Sequence, residues 1–379
     1  KAIELDPQNA YLYVSRGSLK YAISDFTGAK ADYDKAIELN STVSEWYHKR
    51  GYIRDRYLND INGALVDYNK AIELSPTESK YFFYRARLKR HKFKQFEEAK
   101  KDYLKAIELN PDNFAYYQEA ADSEFLNGNY EIALDFYNKA IAIAPNNADL
   151  YIYRGRLKYK YLNDTKGGMD DYNKAIEINP EDPSYYSKRG SLKGHYLNDY
   201  EGSLEDFNKA IEINPEEPSY YSRKARLLYY KLNDLSGALE ALDQAIKYDP
   251  TNPEYYLRRS GIKRFYLNDS QGALEDIENA VKLRNNDADL YGIIGDIKFT
   301  DLKDYQGAYE AYNEAIRLNP DVAEWHNKRG FISFRHLKYL SVALADYNRA
   351  IELDPQESLY YLNRANLKFY VLNDETDVF

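Results

Sequence analysis

Apolar and small residues fall at helical spacing from one end of the chain to the other. Over residues 184–214, Tyr185, Tyr186, Gly190, Leu192, Tyr196 and Leu197 share one helical face, and Pro183 stands where a first helical residue is favoured. Asn198-Asp199 follows. Asn tolerates the left-handed conformation that ends a helix, and Asp caps the next one. Ser203, Leu204, Phe207, Ala210 and Ile211 then trace a second stripe, closed by Asn214-Pro215. The same turn is predicted at Asn59-Asp60, Asn163-Asp164, Asn233-Asp234, Asn268-Asp269 and Asn373-Asp374. No segment alternates with the period of a strand, so the chain is expected to be all helical.

The helix pair is also the unit of a repeat. Ala-Ile, once Ala-Val, recurs at Ala2, Ala36, Ala71, Ala106, Ala140, Ala175, Ala210, Ala245, Ala280, Ala315 and Ala350. The step is 35 residues, shortened to 34 between Ala2 and Ala36 and between Ala106 and Ala140. A fixed period of this size predicts stacked supersecondary units that share one continuous core. The pattern gives a partial unit at 1–9, ten units at 10–43, 44–78, 79–113, 114–147, 148–182, 183–217, 218–252, 253–287, 288–322 and 323–357, and a partial unit at 358–379. Because the first residues already belong to a unit, the natural N-terminus is expected to lie upstream.

In order, Tyr151, Gly155, Gly168, Tyr172, Ala175 and Pro180 resemble the signature of the tetratricopeptide repeat family. The bulky position is filled in other units by Tyr13, Tyr47, Phe82, Tyr186 and Tyr256, and the small position by Gly17, Gly51, Ala86, Gly190 and Ser260. The resemblance covers the whole chain and implies an all-α, right-handed α-solenoid superhelix of tandem helix-turn-helix repeats. Most units carry one extra residue before the turn, which is expected to lengthen or bulge the first helix.

Where the family usually has Leu, before the small residue, this chain has a basic column: Arg16, Arg50, Arg85, Arg154, Arg189, Lys224, Arg259, Arg329 and Arg364. A second cation stands four residues on in most units, at Lys20, Arg54, Lys89, Lys158, Lys193, Lys263 and Lys368. Like charges at this spacing repel, so an acid should compensate. Asp32, Asp67, Asp102, Asp171, Asp206, Asp276 and Asp346 precede the second-helix aromatic in units that have the Arg. Where Ala120, Ile294 or Lys224 replaces the Arg, Phe136, Ala311 or Ala241 replaces the Asp. This joint variation predicts structural ion pairs Arg16–Asp32, Arg50–Asp67, Arg85–Asp102, Arg154–Asp171, Arg189–Asp206, Arg259–Asp276 and Arg329–Asp346.

Catalytic chemistry finds no matching constellation. His48, His91, His195, His326 and His336 are scattered, Cys is absent, and Gly167-Gly168 lacks the Lys and Ser or Thr of a phosphate loop. No catalytic residue, metal ligand or cofactor is therefore expected. With 52 Lys and Arg against 61 Asp and Glu, the net charge of −9 has the wrong sign for general nucleic-acid binding. No apolar run approaches the roughly 18–20 residues that cross a bilayer, so no membrane insertion is expected.

The family resemblance implies that first helices line a concave face whose variable residues choose a protein or peptide partner. The matching positions are Tyr52, Arg56, Arg87, Arg90, His91, Arg156, Lys160, His195, Arg226, Tyr229, Tyr230, Arg264, Phe265, Phe334 and Arg335. Arg mixed with aromatics suits acidic peptides, through bidentate pairs and stacking, and the stretch from Arg56 to Arg90 looks the richest. The family's clamp for chaperone tails needs Lys and Asn where this chain has His48, Tyr52, Phe83 and Arg87, so that activity is not carried over. The chain reads as a non-catalytic interaction scaffold. A self-assembling solenoid and the interaction region of a larger enzyme are the alternatives.

Overall fold

The computed structural model describes residues 1–376, with side chains to Tyr370. Among the described residues there is no strand, and ten helix pairs follow one another, from Ala10–Ala22 with Phe26–Leu39 to Ala323–Ile332 with Leu340–Leu353. Ala2–Leu5 precedes them and Ser358–Thr376 follows. The chain divides into two compact units, Lys1–Arg189 and Gly190–Phe379. Inside each unit a first helix packs on its own second helix, and that second helix packs on the first helix of the next pair. Each unit is a solenoid of helix pairs.

Small residues set the helix spacing. Ala29, Ala64, Ala99 and Ala133 in one unit, and Ala238, Ala273, Ala308 and Ala343 in the other, are fully buried. The small position of the first helix faces the second-helix aromatic. At Gly155 a Cβ would lie 3.0 Å from the Tyr172 ring, and at Gly295 it would lie 2.7 Å from Tyr312. The rings of Tyr68, Tyr103, Tyr172, Tyr312 and Tyr347 are fully enclosed, and the hydroxyls of Tyr68, Tyr103 and Tyr347 are buried without a hydrogen-bond partner, which offsets part of the gain from burying the rings.

The turns explain the two unit lengths. In the shorter pairs Asp25 N–H donates to the Lys20 carbonyl (2.8 Å) and Asn129 N–H to the Glu124 carbonyl (2.9 Å), the six-residue closure of a Schellman turn. One extra residue widens that closure. Asp60 then donates to Arg54, Gln95 to Lys89, Asp234 to Leu228 and Asp304 to Lys298, at 2.8–3.1 Å. Among the described residues, five of the first helices with this wider closure also end in a single π turn, at Lys89–Phe93, Lys193–Leu197, Leu228–Leu232, Ile297–Asp301 and Ser333–Leu337. Asn59, Asn163, Asn198, Asn233 and Asn268 take the left-handed conformation, as do Ser24, Lys94, Lys303 and Lys338. Each following Asp caps the next helix by accepting from the N–H of a Gly three residues on, as Asp60 does from Gly63 (3.0 Å) and Asp234 from Gly237 (2.9 Å). A Cβ at Gly63 would sit 2.2 Å from the Asp60 carboxylate. Asn373-Asp374 does not form the expected turn, because the backbone is helical through Thr376. In the sequence, the position three residues after Asp374 is Asp377, where the capped helices have Gly.

Candidate partner-binding grooves

The basic column lies between paired helices and is largely neutralised. Arg50 Nε and Nη2 reach the fully buried Asp67 at 3.0 and 2.5 Å, and Arg54 Nη1 reaches it at 2.8 Å. Arg16 meets Asp32 (2.9 and 2.5 Å), Arg85 meets Asp102 (2.8 and 2.6 Å) and Arg154 meets Asp171 (2.9 and 2.5 Å) in the same two-pronged way. In the second unit Arg259 holds Asp276 (3.0 and 2.5 Å), Arg329 holds Asp346 (2.9 and 2.5 Å), and Lys193 reaches Asp206 at 3.1 Å. Arg189 and Asp206 belong to different units and are each described within their own. Burial alone would raise the Asp32 carboxyl, but bonds from Arg16 and Lys20 outweigh it and hold that carboxyl below the usual range.

The third guanidinium nitrogen makes a contact that the sequence pattern does not reveal, to the second helix of the preceding pair. Arg50 Nη1 donates to Asp34 (2.8 Å), Arg85 to Asn69 (2.8 Å), Arg154 to Asn138 (2.8 Å) and Arg189 to Asn173 (2.8 Å). In the second unit Arg259 reaches Asp243 (2.6 Å), Arg329 reaches Asn313 (2.7 Å) and Arg364 reaches Asn348 (2.8 Å). The fourth pair, with Ala120, inverts the polarity: its buried Glu124 receives Lys100 of the third pair at 3.3 Å.

In the first unit, the arginines from Arg56 to Arg90 already stand beside acids of the protein itself. Arg90 is 5% exposed, pairs its Nη2 with the Glu119 carboxylate at 2.6 Å and donates its Nη1 to the Glu119 carbonyl at 3.0 Å. Arg87 lies 3.3 Å from the same carboxylate, and Arg56 is exposed beside Asp55 (3.5 Å). Arg90 therefore belongs to the interior, because Glu119 of the next pair stands opposite it. Tyr52 lines a separate cavity of 340 Å³ with Tyr21, Tyr84, His48 and Lys49. Exposed Arg156 lies over the Phe125 ring at 5.1 Å, and exposed Lys160 over Tyr161 at 5.4 Å.

His91 accepts a bond from Arg90 Nη2 at 2.6 Å, which requires a neutral ring. Burial, then Arg90, Arg87, Arg56 and Lys94, lower its pKa to about 4. The unfolded chain thus takes up a proton that the fold excludes, and stability should fall as pH drops from about 6.5 toward 4. Glu45, whose burial is outweighed by His48 and Lys80, is held down to about 2, and its contribution is lost lower, from about 4.5 toward 2. Urea midpoints measured from pH 7 to 3 should decline across both windows. His91→Gln should flatten the upper one, and an unchanged slope there would refute the assignment.

The second unit has an open groove. His195, Phe207, Arg223, Arg226, Leu227, Tyr230 and Lys231 line a cavity of 330 Å³. Arg226 and Tyr230 also border the next, of 380 Å³, with Tyr229, Leu257, Arg258, Gly261, Ile262 and Phe265. Helices Pro218–Leu227 and Pro253–Tyr266 supply most of these walls. A Cβ on Gly261 would meet nothing within 4 Å, so this Gly leaves the second cavity open. The His195 tautomer follows from its bonds: Nδ1 lies 2.9 Å from the Ser191 carbonyl and must donate, and Nε2 lies 3.1 Å from Arg226 Nη2 and must accept. Among the described residues Arg223, Arg226 and Arg258 have no carboxylate partner; Arg223 bonds the Ser191 hydroxyl at 3.1 Å. Burial, then Arg258 and Arg223, lower the Arg226 pKa.

Of the expected contact residues, the structure thus brings His195, Arg226, Tyr229, Tyr230 and Phe265 together. Arg264 is instead held by Asp301 (2.7 Å). Phe334 is 3% exposed and packs on Tyr370, so it belongs to the core, with exposed Arg335 over its ring at 4.8 Å. Sequence reasoning missed Arg223 and Arg258, which occupy the same repeat position 35 residues apart. A cation there without an acid in register was the available signal.

Family models described as TPR repeat match residues 227–259 and 295–336, and models described as tetratricopeptide repeat match 92–148 and 183–217. No curated protein matches the chain. Among solved structures, the C-terminal part of a TPR repeat-containing protein from Cytophaga hutchinsonii is 17% identical, with a TM-score of 0.54, covering 66% of this chain and 99% of that one. A tetratricopeptide repeat protein from Parabacteroides merdae ATCC 43184 is 19% identical (TM-score 0.49, 66% and 97% covered). YrrB, described as a TPR protein with an unusual peptide-binding site, is 25% identical (TM-score 0.38, 48% and 92% covered). The first of these shares the helix-pair fold. With its 35-residue period, its stacked helix pairs and the family-model matches over 92–148, 183–217, 227–259 and 295–336, the chain carries tetratricopeptide repeats, which build protein-interaction scaffolds.

Proposed function

We propose that this chain is a non-catalytic scaffold whose second unit grips an acidic peptide segment on its first-helix face, between His195 and Phe265. One observation carries the reading: Arg223, Arg226 and Arg258 border an open, aromatic-walled groove with no carboxylate among its lining residues. Most arginines of the column are bonded to acids of the protein itself. Guanidinium groups without such a partner, beside Tyr230 and Phe265, suit carboxylates flanked by apolar side chains. Each proposed repeat from 10–43 to 323–357 contains one helix pair, which supports counting ten repeats.

The test is fluorescence anisotropy of labelled acidic and neutral peptides with the full chain. Arg226→Ala should weaken the acidic peptide about tenfold, the effect of losing one charge-assisted contact, and raising salt should weaken it further. Arg87→Ala should leave the affinity unchanged, because Glu119 already holds that arginine. Equal binding of acidic and neutral peptides would sink the proposal.

A further inference from the structure

Resting on that reading of the groove as a peptide site, we propose that the anion it selects is a phosphate monoester on a peptide side chain, rather than a carboxylate. Three guanidinium groups and Lys231 border the paired cavities, and none of the lining residues is acidic. A single carboxylate brings one charge and two oxygens to such a cluster. A phosphorylated side chain brings about −1.5 to −2 charges and three strong acceptor oxygens.

The neighbours of Arg226 point the same way. His195 spends its Nδ1–H on the Ser191 carbonyl and offers only a lone pair to Arg226, so it orients the guanidinium without neutralising it. Arg223 is oriented by a hydroxyl, again without neutralisation. Arg226 also feels Arg223 and Arg258 strongly enough that its proton is held less tightly than usual, after the effect of burial. The cluster is positioned and left charged, which a dianion relieves more fully than a monoanion does. Beside it, Leu242, Leu257, Ile262 and Phe265 wall a cavity of 380 Å³ that Gly261 leaves open. That cavity would take an apolar residue next to the phosphorylated one.

The experiment compares four labelled peptides of one sequence, with phosphoserine, Glu, Ser or Ala between apolar residues, titrated against the full chain. The phosphoserine peptide should bind about tenfold more tightly than the Glu peptide, the worth of one further charge-assisted bond. Its affinity should rise between pH 5 and 7 as the second phosphate proton leaves, at a pKa of about 6. Arg226→Lys keeps the charge and loses the fork, so it should retain part of the preference; Arg223→Gln with Arg258→Gln should abolish it. Equal binding of phosphoserine and Glu peptides would overturn the phosphate assignment and leave the acidic-peptide reading standing. Failure of both to bind would end both. If inorganic phosphate or free phosphoserine bound as tightly as the peptide, the site would be an anion site and no peptide site. A preference that survived the arginine substitutions would place it elsewhere.

Discussion

Asp67→Ala is expected to destabilise the second helix pair by about 3–5 kcal/mol, the range for stripping one partner from a buried charge network. Asp67 is fully buried and accepts from both Arg50 and Arg54. Those side chains are only 14% and 16% exposed, so neither guanidinium can turn fully to water. Amide hydrogen exchange along helix Ile61–Leu74 should show the loss locally. Glu73→Ala removes the exposed Lys70–Glu73 pair on the same helix, 37% and 67% exposed, and should cost under about 1 kcal/mol. Replacing Arg50, Arg54 and Asp67 together by apolar residues of similar volume should restore much of the loss, since desolvation offsets much of the Coulomb gain. A loss below about 1 kcal/mol for Asp67→Ala would mean that the ladder does not hold the pair together.

The second large effect concerns two glycines inside first helices, Gly295 at the small position and Gly261 one residue after it. Gly295→Val should cost about 3 kcal/mol, the upper part of the usual range for overpacking. Its Cβ would stand 2.7–2.9 Å from three ring atoms of Tyr312. That ring is fully enclosed and tied by its hydroxyl to Asp296 at 2.5 Å, so it cannot yield. Gly261→Ala, inside helix Pro253–Tyr266, should instead gain about 0.5–1 kcal/mol, because the added methyl meets nothing and the helix loses a flexible residue. Gly261→Leu should fill the groove and weaken peptide binding while leaving the fold intact. Thermal denaturation of the three variants separates these outcomes, and a destabilised Gly261→Ala would show that the groove is not open there.

The helix pairs and their turns were legible in the sequence because each follows from a local rule: apolar period, Asn for the left-handed residue, Asp for the cap. The Arg–Asp register was legible because the repeats vary together inside one chain, as at Ala120 with Phe136. The contact surface was less so. Arg90 and Arg226 both fall among variable first-helix positions, yet one is buried against Glu119 and the other stands in a groove. What separates them is the residue opposite in the neighbouring pair, which a single-helix pattern does not record. The Gly three residues after each capping Asp was likewise overlooked, although it recurs at Gly28, Gly63, Gly167, Gly202, Gly237, Gly272 and Gly307.

From Arg50 onward the third nitrogen of the column arginines ties a pair to its predecessor, so the array resembles a row of spins coupled to their nearest neighbours. That bond is missing where the column holds no arginine. In the second unit Lys224 and Ile294 stand at the column position, and neither makes the bond that Arg259 makes to Asp243. Lys224 adjoins the groove that Arg223, Arg226 and Arg258 border. A bound anion bridging Arg223 and Arg226 to Arg258 of the next pair would add to the coupling that Arg259 and Asp243 already provide between those two pairs. Occupancy would then be transmitted along the row as slower opening of the pairs on either side, turning a binding event into a change in stiffness.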